Sequence, residues 1–192
     1  MITRKYEKYE DYVEFQLRKT RNKEKQKKWL GEEWGKKIKI FKDVLGSVVK
    51  GGNYDKAICL GARTGQEVVA LKELGVKEVI GIDLEEFPPY TIKGDIHDIK
   101  YENETFELVY TNILDHTINP TKFAEEIYRI LKENGTFILH YQYDCHQDIY
   151  TELVIKDIEY IYKLFNKFSI ESTRDIDTGI IAMNKEIIFK KK

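Results

Sequence analysis

The stretch LGARTGQEV (residues 60–68) follows the apolar run Ala57-Ile58-Cys59-Leu60 and leads into a helix-forming segment. An apolar run, a glycine turn and a helix together make the first strand–loop–helix unit of an open α/β sheet. Gly61 and Gly65 suit a tight turn, and glycine lets a ligand approach the backbone closely. Arg63 stands between them, where a further glycine is common. The helix start beyond the loop offers free N–H groups. Asp83 ends the run Val79-Ile80-Gly81-Ile82. It lies about 20 residues on, the usual place of a carboxylate that grips ribose hydroxyls. Loop and acid together describe a site for a nucleoside-containing cofactor.

Outward from this unit, strands and helices alternate from residue 56 onward. Hydrophobic spacing predicts strands at 57–60, 79–82, about 90–93, 106–112, 136–142, 167–173 and 180–190. It predicts helices at 66–74 and 149–166, and one from Pro120 that stops before Gly135, with Asn119 as its N-cap. The last two strands are separated only by Arg174 to Gly179. A parallel crossover needs a dozen residues or more, so these strands pair as an antiparallel hairpin at Asp177-Thr178-Gly179. The expected fold is a doubly wound α/β sheet of seven strands, mainly parallel, with one antiparallel strand from the C-terminal hairpin.

The first 50 residues are different in kind. Tyr6, Tyr9, Val13 and Leu17 share one helical face, as do Ile38, Phe41, Leu45 and Val48. The charge run RNKEKQKK (residues 21–28) reads as solvated, and Gly51-Gly52 interrupts the helical pattern. This divides the chain into an N-terminal helical cap, 1–50, and a cofactor-binding domain, 51–192.

Composition narrows the functional classes. The 192 residues are 42% hydrophobic and 34% charged, with a formal net charge of −1. That balance suits an ordinary soluble domain and supplies no general field for nucleic acid. Two cysteines are too few for a disulfide framework, and no apolar run approaches the ~18 residues of a spanning helix. The expectation is a cytoplasmic protein that acts on a small molecule, with no nucleic-acid or membrane partner. His140, Asp144, Cys145 and His146 cluster after the fifth strand, but their spacing fits no metal-binding pattern, so no metal is expected.

A dinucleotide site wants glycine at G-x-G-x-x-G. Those positions are Gly61, Arg63 and Gln66 here, so one of three matches. An NAD(P)-dependent oxidoreductase is accordingly the weaker alternative. The chain instead resembles the class I S-adenosylmethionine (SAM)-dependent methyltransferases, from about residue 55 to its end. AICLGARTG resembles their glycine-rich motif, and VIGIDLE the strand with its ribose-binding acid. KGDIHDI resembles the adenine-binding segment, and FELVYTNILDHTINPTKFAEEIYRILKENGTFIL their fourth strand, helix and fifth strand. The terminal hairpin follows the same order. GARTGQEV with Asp115-His116 is similar to a subgroup that carries Arg in mid-loop.

The resemblance implies SAM as cofactor, held by Gly61, Ala62, Arg63 and Gly65 in the loop, Asp83 and Leu84 at ribose, Asp95 and Ile96 at adenine, and Asn112. Cys59 stands where the family has an acid, and Glu67 is the candidate substitute. Asn112, Asp115 and His116 follow the fourth strand, where the family places its substrate, and are the candidate catalytic residues. His116 is the candidate general base toward an oxygen or nitrogen acceptor. Asn112 departs from the Asn-Pro-Pro-aromatic signature of base and glutamine nitrogen methylation. A SAM-binding regulatory or partner subunit without turnover is the other alternative.

Overall fold

The computed structural model describes residues 4–143 and 148–192. Seven strands form one sheet: β1 (Lys56–Leu60), β2 (Glu78–Asp83), β3 (Thr91–Lys93), β4 (Phe106–Thr111), β5 (Leu131–Tyr141), β6 (Phe168–Asp175) and β7 (Lys185–Lys191). Their spatial order is β3-β2-β1-β4-β5-β7-β6. β1 pairs in parallel with both β2 and β4, whereas β7 runs antiparallel to β5 and β6. The order reverses at β1, so the loop after β1 opens at the topological switch point, where ligands of such sheets bind.

Both faces of the sheet are covered, which is why its central strands read as unbroken apolar runs. On one face lie α3 (Trp34–Gly51) and α4 (Gln66–Glu73), where Phe41, Leu45, Val68 and Leu71 pack on Cys59, Leu108 and Ile138. On the other lie α5 (Pro120–Ile130) and α6 (Ile158–Leu164), with Phe123, Ile127 and Ile161 against Ile58, Val109 and Phe137. Asn119 caps α5 as expected, its side chain accepting from the Lys122 N–H at 3.0 Å. α1 (Tyr9–Thr20) and α2 (Lys23–Leu30) precede these layers. Among the described residues no helix is long and apolar enough to cross a membrane.

Four expectations need correction. The helix expected over 149–166 is only α6. Upstream, the Glu152 and Leu153 N–H groups both donate to the Asp115 carbonyl, at 2.8 and 2.9 Å, so the backbone there serves a neighbouring loop rather than a helix. Leu153 and Ile155 are buried without helical repetition. The strand expected over 180–190 begins at Lys185. Residues 176–184 form a loop, gathered by the Thr178 hydroxyl, which donates to the Met183 carbonyl at 2.6 Å. Ile181 and Met183 lie outside the sheet; Met183 is buried in the core on the α3/α4 face, Ile181 packs against it, and both line a cleft. β5 starts at Leu131 rather than 136, through an irregular pairing in which Leu131 faces Phe106 before the register shifts. In α1 the buried face carries Tyr12 and Leu17, while Tyr9 stays 39% exposed. The residues Asp144, Cys145 and His146 lie outside those described; His140 is fully buried on β5.

Candidate functional site

The loop after β1 is fastened to the strand beside it. The Gly61 and Ala62 N–H groups both donate to the Ile82 carbonyl, at 2.9 and 3.0 Å, and the Gly65 N–H to the Ala62 carbonyl at 2.7 Å. Gly61 and Gly65 adopt φ of 73° and 89°, which favour glycine. A Cβ on Gly61 would meet the Ile113 side chain at 2.4 Å, and one on Gly65 the Tyr90 side chain at 2.4 Å. Arg63 takes a left-handed φ of 44°, and its guanidinium leaves the loop to lie 4.4 Å from the centre of the Trp29 ring. Its backbone N–H donates to Asp83 Oδ2 at 2.9 Å. Arg63 therefore stiffens the loop and leaves the cradle open.

Two adjoining chambers open beside this loop, with cavity volumes of about 70 and about 240 Å³. They share Lys19, Gly61, Arg63, Ile113 and His116. The first holds Asp83, Leu84, Asp95 and Ile96, roofed by Tyr12 and Gln16 of α1. Burial raises the Asp83 carboxyl above its ordinary value, with the Arg63 guanidinium and N–H opposing. Asp95 accepts the His97 N–H on Oδ1 at 2.8 Å and the Tyr9 hydroxyl on Oδ2 at 2.7 Å. Burial pushes Asp95 up, but these hydrogen bonds outweigh it and hold the acid below its usual range. His97 in turn reaches the Thr117 hydroxyl at 2.6 Å through Nε2. Carboxylates for hydroxyl and amine donors and apolar walls for a flat ring thus fit an adenosine group.

The second chamber holds Glu67, Asn112, Asp115, Gln142 and Met183, with Phe41 and Lys37 reaching in from α3. Glu67 is buried in the first turn of α4, and burial pushes its carboxyl up to about 7 against the pull of Arg63 and Lys37. Cys59, at the position of the missing acid, is buried, and burial raises its thiol well above the ordinary value. It acts as a small hydrophobe.

His116 ends a single 3₁₀ turn, Leu114–His116. Its Nδ1 lies 2.9 Å from the Tyr150 carbonyl, so that nitrogen donates to it. Nε2 faces Lys19 Nζ at 3.3 Å and Asp115 Oδ2 at 3.7 Å. Tyr150 thus orients the ring. Lys19 also binds Asp148 at 2.5 Å. Burial, with Arg63 nearby, holds the Lys19 amine below its usual value although Asp148 opposes. Sequence reasoning did not find Tyr9, Tyr12, Lys19 or His97. Tyr9 stands only as part of an apolar helical face in the sequence, and no local pattern marks Tyr12, Lys19 or His97. Among the described residues no group of three or more His, Cys, Asp or Glu is placed to hold a metal.

Residues 58–139 match the family model of the methyltransferase domain. No curated protein matches the chain. The PH0226 protein of Pyrococcus horikoshii OT3 shares 17% identity at a TM-score of 0.68, over 84% of this chain and 92% of that one. The 1,6-didemethyltoxoflavin-N1-methyltransferase of Burkholderia thailandensis, solved with 1,6-didemethyltoxoflavin and S-adenosylhomocysteine, shares 12% at 0.75, over 100% and 93%. The [4+2]-cyclase SpnF shares 13% at 0.61, over 78% and 81%, so the fold also carries other chemistry. At these identities the likeness is one of fold. Residues 58–139 thus match a methyltransferase domain, whose cofactor is SAM, and the sheet order and the cleft at its switch point are those of the class I fold.

Proposed function

We propose that the protein transfers a methyl group from SAM to an oxygen or nitrogen of a small-molecule acceptor. The observation that carries this reading is the two-chamber cleft, whose halves meet at Gly61, Arg63 and His116. Asp83 receives the ribose hydroxyls, Asp95 and the Ile96 N–H the adenine edge, and Leu84 and Ile96 its faces. Gly61, Ala62 and Gly65 give the cofactor room at the backbone. Arg63 and Glu67 face its amino-acid end, Glu67 replacing the acid that Cys59 displaces. When bound, SAM supplies a methyl group on a positively charged sulfur. The chain's part is to align the acceptor with that methyl and exclude water, which supplies most of the acceleration. Where the acceptor loses a proton, His116 takes it at Nε2, once Lys19 has given way. Asn112 and Asp115 position the acceptor beside it.

Residues 1–50 form a cap over the domain of 51–192, with α1 as its cleft-facing part. The mid-loop arginine, with Asp115-His116, defines the subgroup we assign. A small acceptor agrees with the 1,6-didemethyltoxoflavin bound by the Burkholderia neighbour. A second reading, a SAM-binding subunit without turnover, is favoured by Cys59 in the acid position and by the Lys19 contact on His116. Calorimetry tests the first step: S-adenosylhomocysteine binds, while NAD and NADP do not, and the reverse result ends the methyltransferase reading. Turnover of SAM over a panel of hydroxyl and amine acceptors then separates enzyme from subunit.

A further inference from the structure

One face of α1 meets the His116 turn from three sides. Tyr12, Gln16 and Lys19 follow the spacing i, i+4, i+7 and share that face. The Tyr12 hydroxyl donates to the His116 carbonyl at 3.0 Å. Gln16 Nε2 donates to the Tyr150 carbonyl at 3.0 Å, the same oxygen that takes His116 Nδ1 at 2.9 Å. Lys19 Nζ lies 3.3 Å from His116 Nε2. The other N–H of Gln16 goes to Glu152 Oε1 at 3.0 Å. Glu152 is fully buried, and the Tyr6 hydroxyl donates to the same oxygen at 2.5 Å. Arg4 adds its charge at 3.6 Å. The Glu152 backbone serves the opposite side, its N–H donating to the Asp115 carbonyl at 2.8 Å. Glu152 itself lines neither chamber.

Elementary hydrogen-bond chemistry gives these groups one consistent set of protons. A carbonyl only accepts, so Tyr150 fixes the His116 proton on Nδ1. An ammonium only donates, so beside Lys19 the other nitrogen, Nε2, presents its lone pair. Asp115 Oδ2, at 3.7 Å from Nε2, stands beyond hydrogen-bond reach. A carbonyl oxygen has two lone pairs, and His116 and Gln16 fill both on Tyr150. Gln16 keeps its NH2 toward Tyr150 because Glu152 Oε1 also calls for a donor there. Burial, and then Glu152, push the Tyr6 hydroxyl up to about 12, so Tyr6 stays a donor as well. The line from Tyr6 through Glu152, Gln16 and Tyr150 thus ends on His116, a side chain that lines both chambers.

We propose that Tyr6, Glu152 and Gln16 are positioning residues for His116: acting through the Tyr150 carbonyl, they hold the imidazole in its Nδ1–H tautomer, with the Nε2 lone pair on the chamber wall. The tautomer decides the chemistry. An imidazole with its proton on Nε2 has no lone pair there to take a proton from an acceptor. Bases are commonly oriented by a third group; here that group is a backbone carbonyl, and the N-terminal cap holds it in place. The use of the lone pair as a base rests on the function proposed above; the tautomer and the line of residues behind it do not. If Glu152 served only to dock α1, His116 would be indifferent to its replacement.

Nitrogen-15 NMR of the full chain reads the His116 tautomer at about pH 9, above the ordinary imidazole range. In the wild type Nδ1 carries the proton and Nε2 is bare. Glu152→Leu and Gln16→Met each break the line at similar side-chain volume, and the Nε2–H form gains roughly two- to tenfold, the worth of one hydrogen bond. Glu152→Gln, whose amide oxygen still accepts from Tyr6 and Gln16, keeps the wild-type signals. Tyr6→Phe breaks the far end and moves the signals in the same direction, which keeps the test alive should Glu152→Leu fail to fold. An Nε2–H ring in the wild type overturns the proposal. So do wild-type signals in Glu152→Leu, Gln16→Met and Tyr6→Phe, or Glu152→Gln signals displaced as far as those of Glu152→Leu. Calorimetry with S-adenosylhomocysteine is the separate arm: failure of the wild type to bind it overturns the SAM reading and leaves the NMR result standing.

Discussion

The two chambers of the cleft are built from different materials. The first takes its polar floor from one short reach of chain, Gly61 to Ile96, in which loops and strand ends lie side by side. The second adds to that same loop and the first turn of α4 side chains from α1, α3, the loop after β4, the segment near 148–151 and the loop before β7. A cofactor half made of local backbone tolerates little change. An acceptor half made of side chains from distant segments is where specificity varies on a common fold. Changes at five residues test this division, beginning with the largest effect.

His116 is the sharpest point of the second chamber. If it removes a proton, His116→Ala lowers methyl transfer by ~10²–10⁴-fold and leaves S-adenosylhomocysteine affinity unchanged, and His116→Gln does not recover the rate. Recovery by Gln reduces His116 to positioning. A loss of cofactor affinity in both variants erases the division between chambers.

Glu67 sits between the chambers, and its effect appears in stability. Its ordinary value is 4.5 and burial takes it to about 7 in the folded protein. The folded state therefore holds the proton more tightly. That contribution is complete below pH 4.5 and is lost as the pH rises through about 7. The interval corresponds to roughly 3 kcal/mol. Glu67→Gln has no proton to lose, so it is more stable than wild type above pH 7 by up to that amount and similar to it in acid. Urea unfolding at both ends of the range measures this. Parallel curves would show that Glu67 ionises at no cost in the fold.

Much of the first chamber was legible because its determinants are close in sequence. Gly61, Gly65 and Asp83 fall within one strand–loop–helix–strand unit, whose glycine needs and acid spacing follow from backbone geometry. The antiparallel β7 was legible from loop length alone. The rest depended on contacts that no local pattern contains. Tyr9 reaches Asp95 across 86 positions and Lys19 reaches His116 across 97. Leu153, Ile158, Ile161 and Leu164 mimic a helical stripe, yet Leu153 is buried in a segment bonded to Asp115. Ile180 to Met183 mimic a strand for the same reason: apolar residues that line a cleft resemble apolar residues of a core.

Asp83→Ala tests the cofactor half directly. Hydrogen bonds to a charged group contribute ~1.5–3 kcal/mol, so S-adenosylhomocysteine binding falls roughly ten- to hundredfold by calorimetry. Asp95→Asn costs less, since an amide oxygen still accepts from the adenine amine. An undiminished affinity in Asp83→Ala would make this carboxylate a structural anchor for the Arg63 N–H and nothing more.

The smallest effect lies where the two materials touch. The Tyr9 hydroxyl donates to Asp95 Oδ2 at 2.7 Å, the carboxylate that the adenine amine seeks in the proposed reading. If the amine and the hydroxyl exchange on that oxygen rather than share it, cofactor binding displaces the hydroxyl. Tyr9→Phe removes the competitor and keeps the ring, which packs 5.4 Å from Tyr12 and 5.7 Å from His97, centroid to centroid. The exchanged hydrogen bond is worth ~0.5–1.5 kcal/mol net, so S-adenosylhomocysteine binds the Phe variant roughly two- to tenfold more tightly. The gain should vanish in the Tyr9→Phe, Asp95→Asn double variant if the two residues act on each other. Weaker binding in Tyr9→Phe would mean that α1 grips the cofactor with this hydroxyl. The first chamber would then depend on a distant side chain as much as the second does, and the division drawn between them would fail.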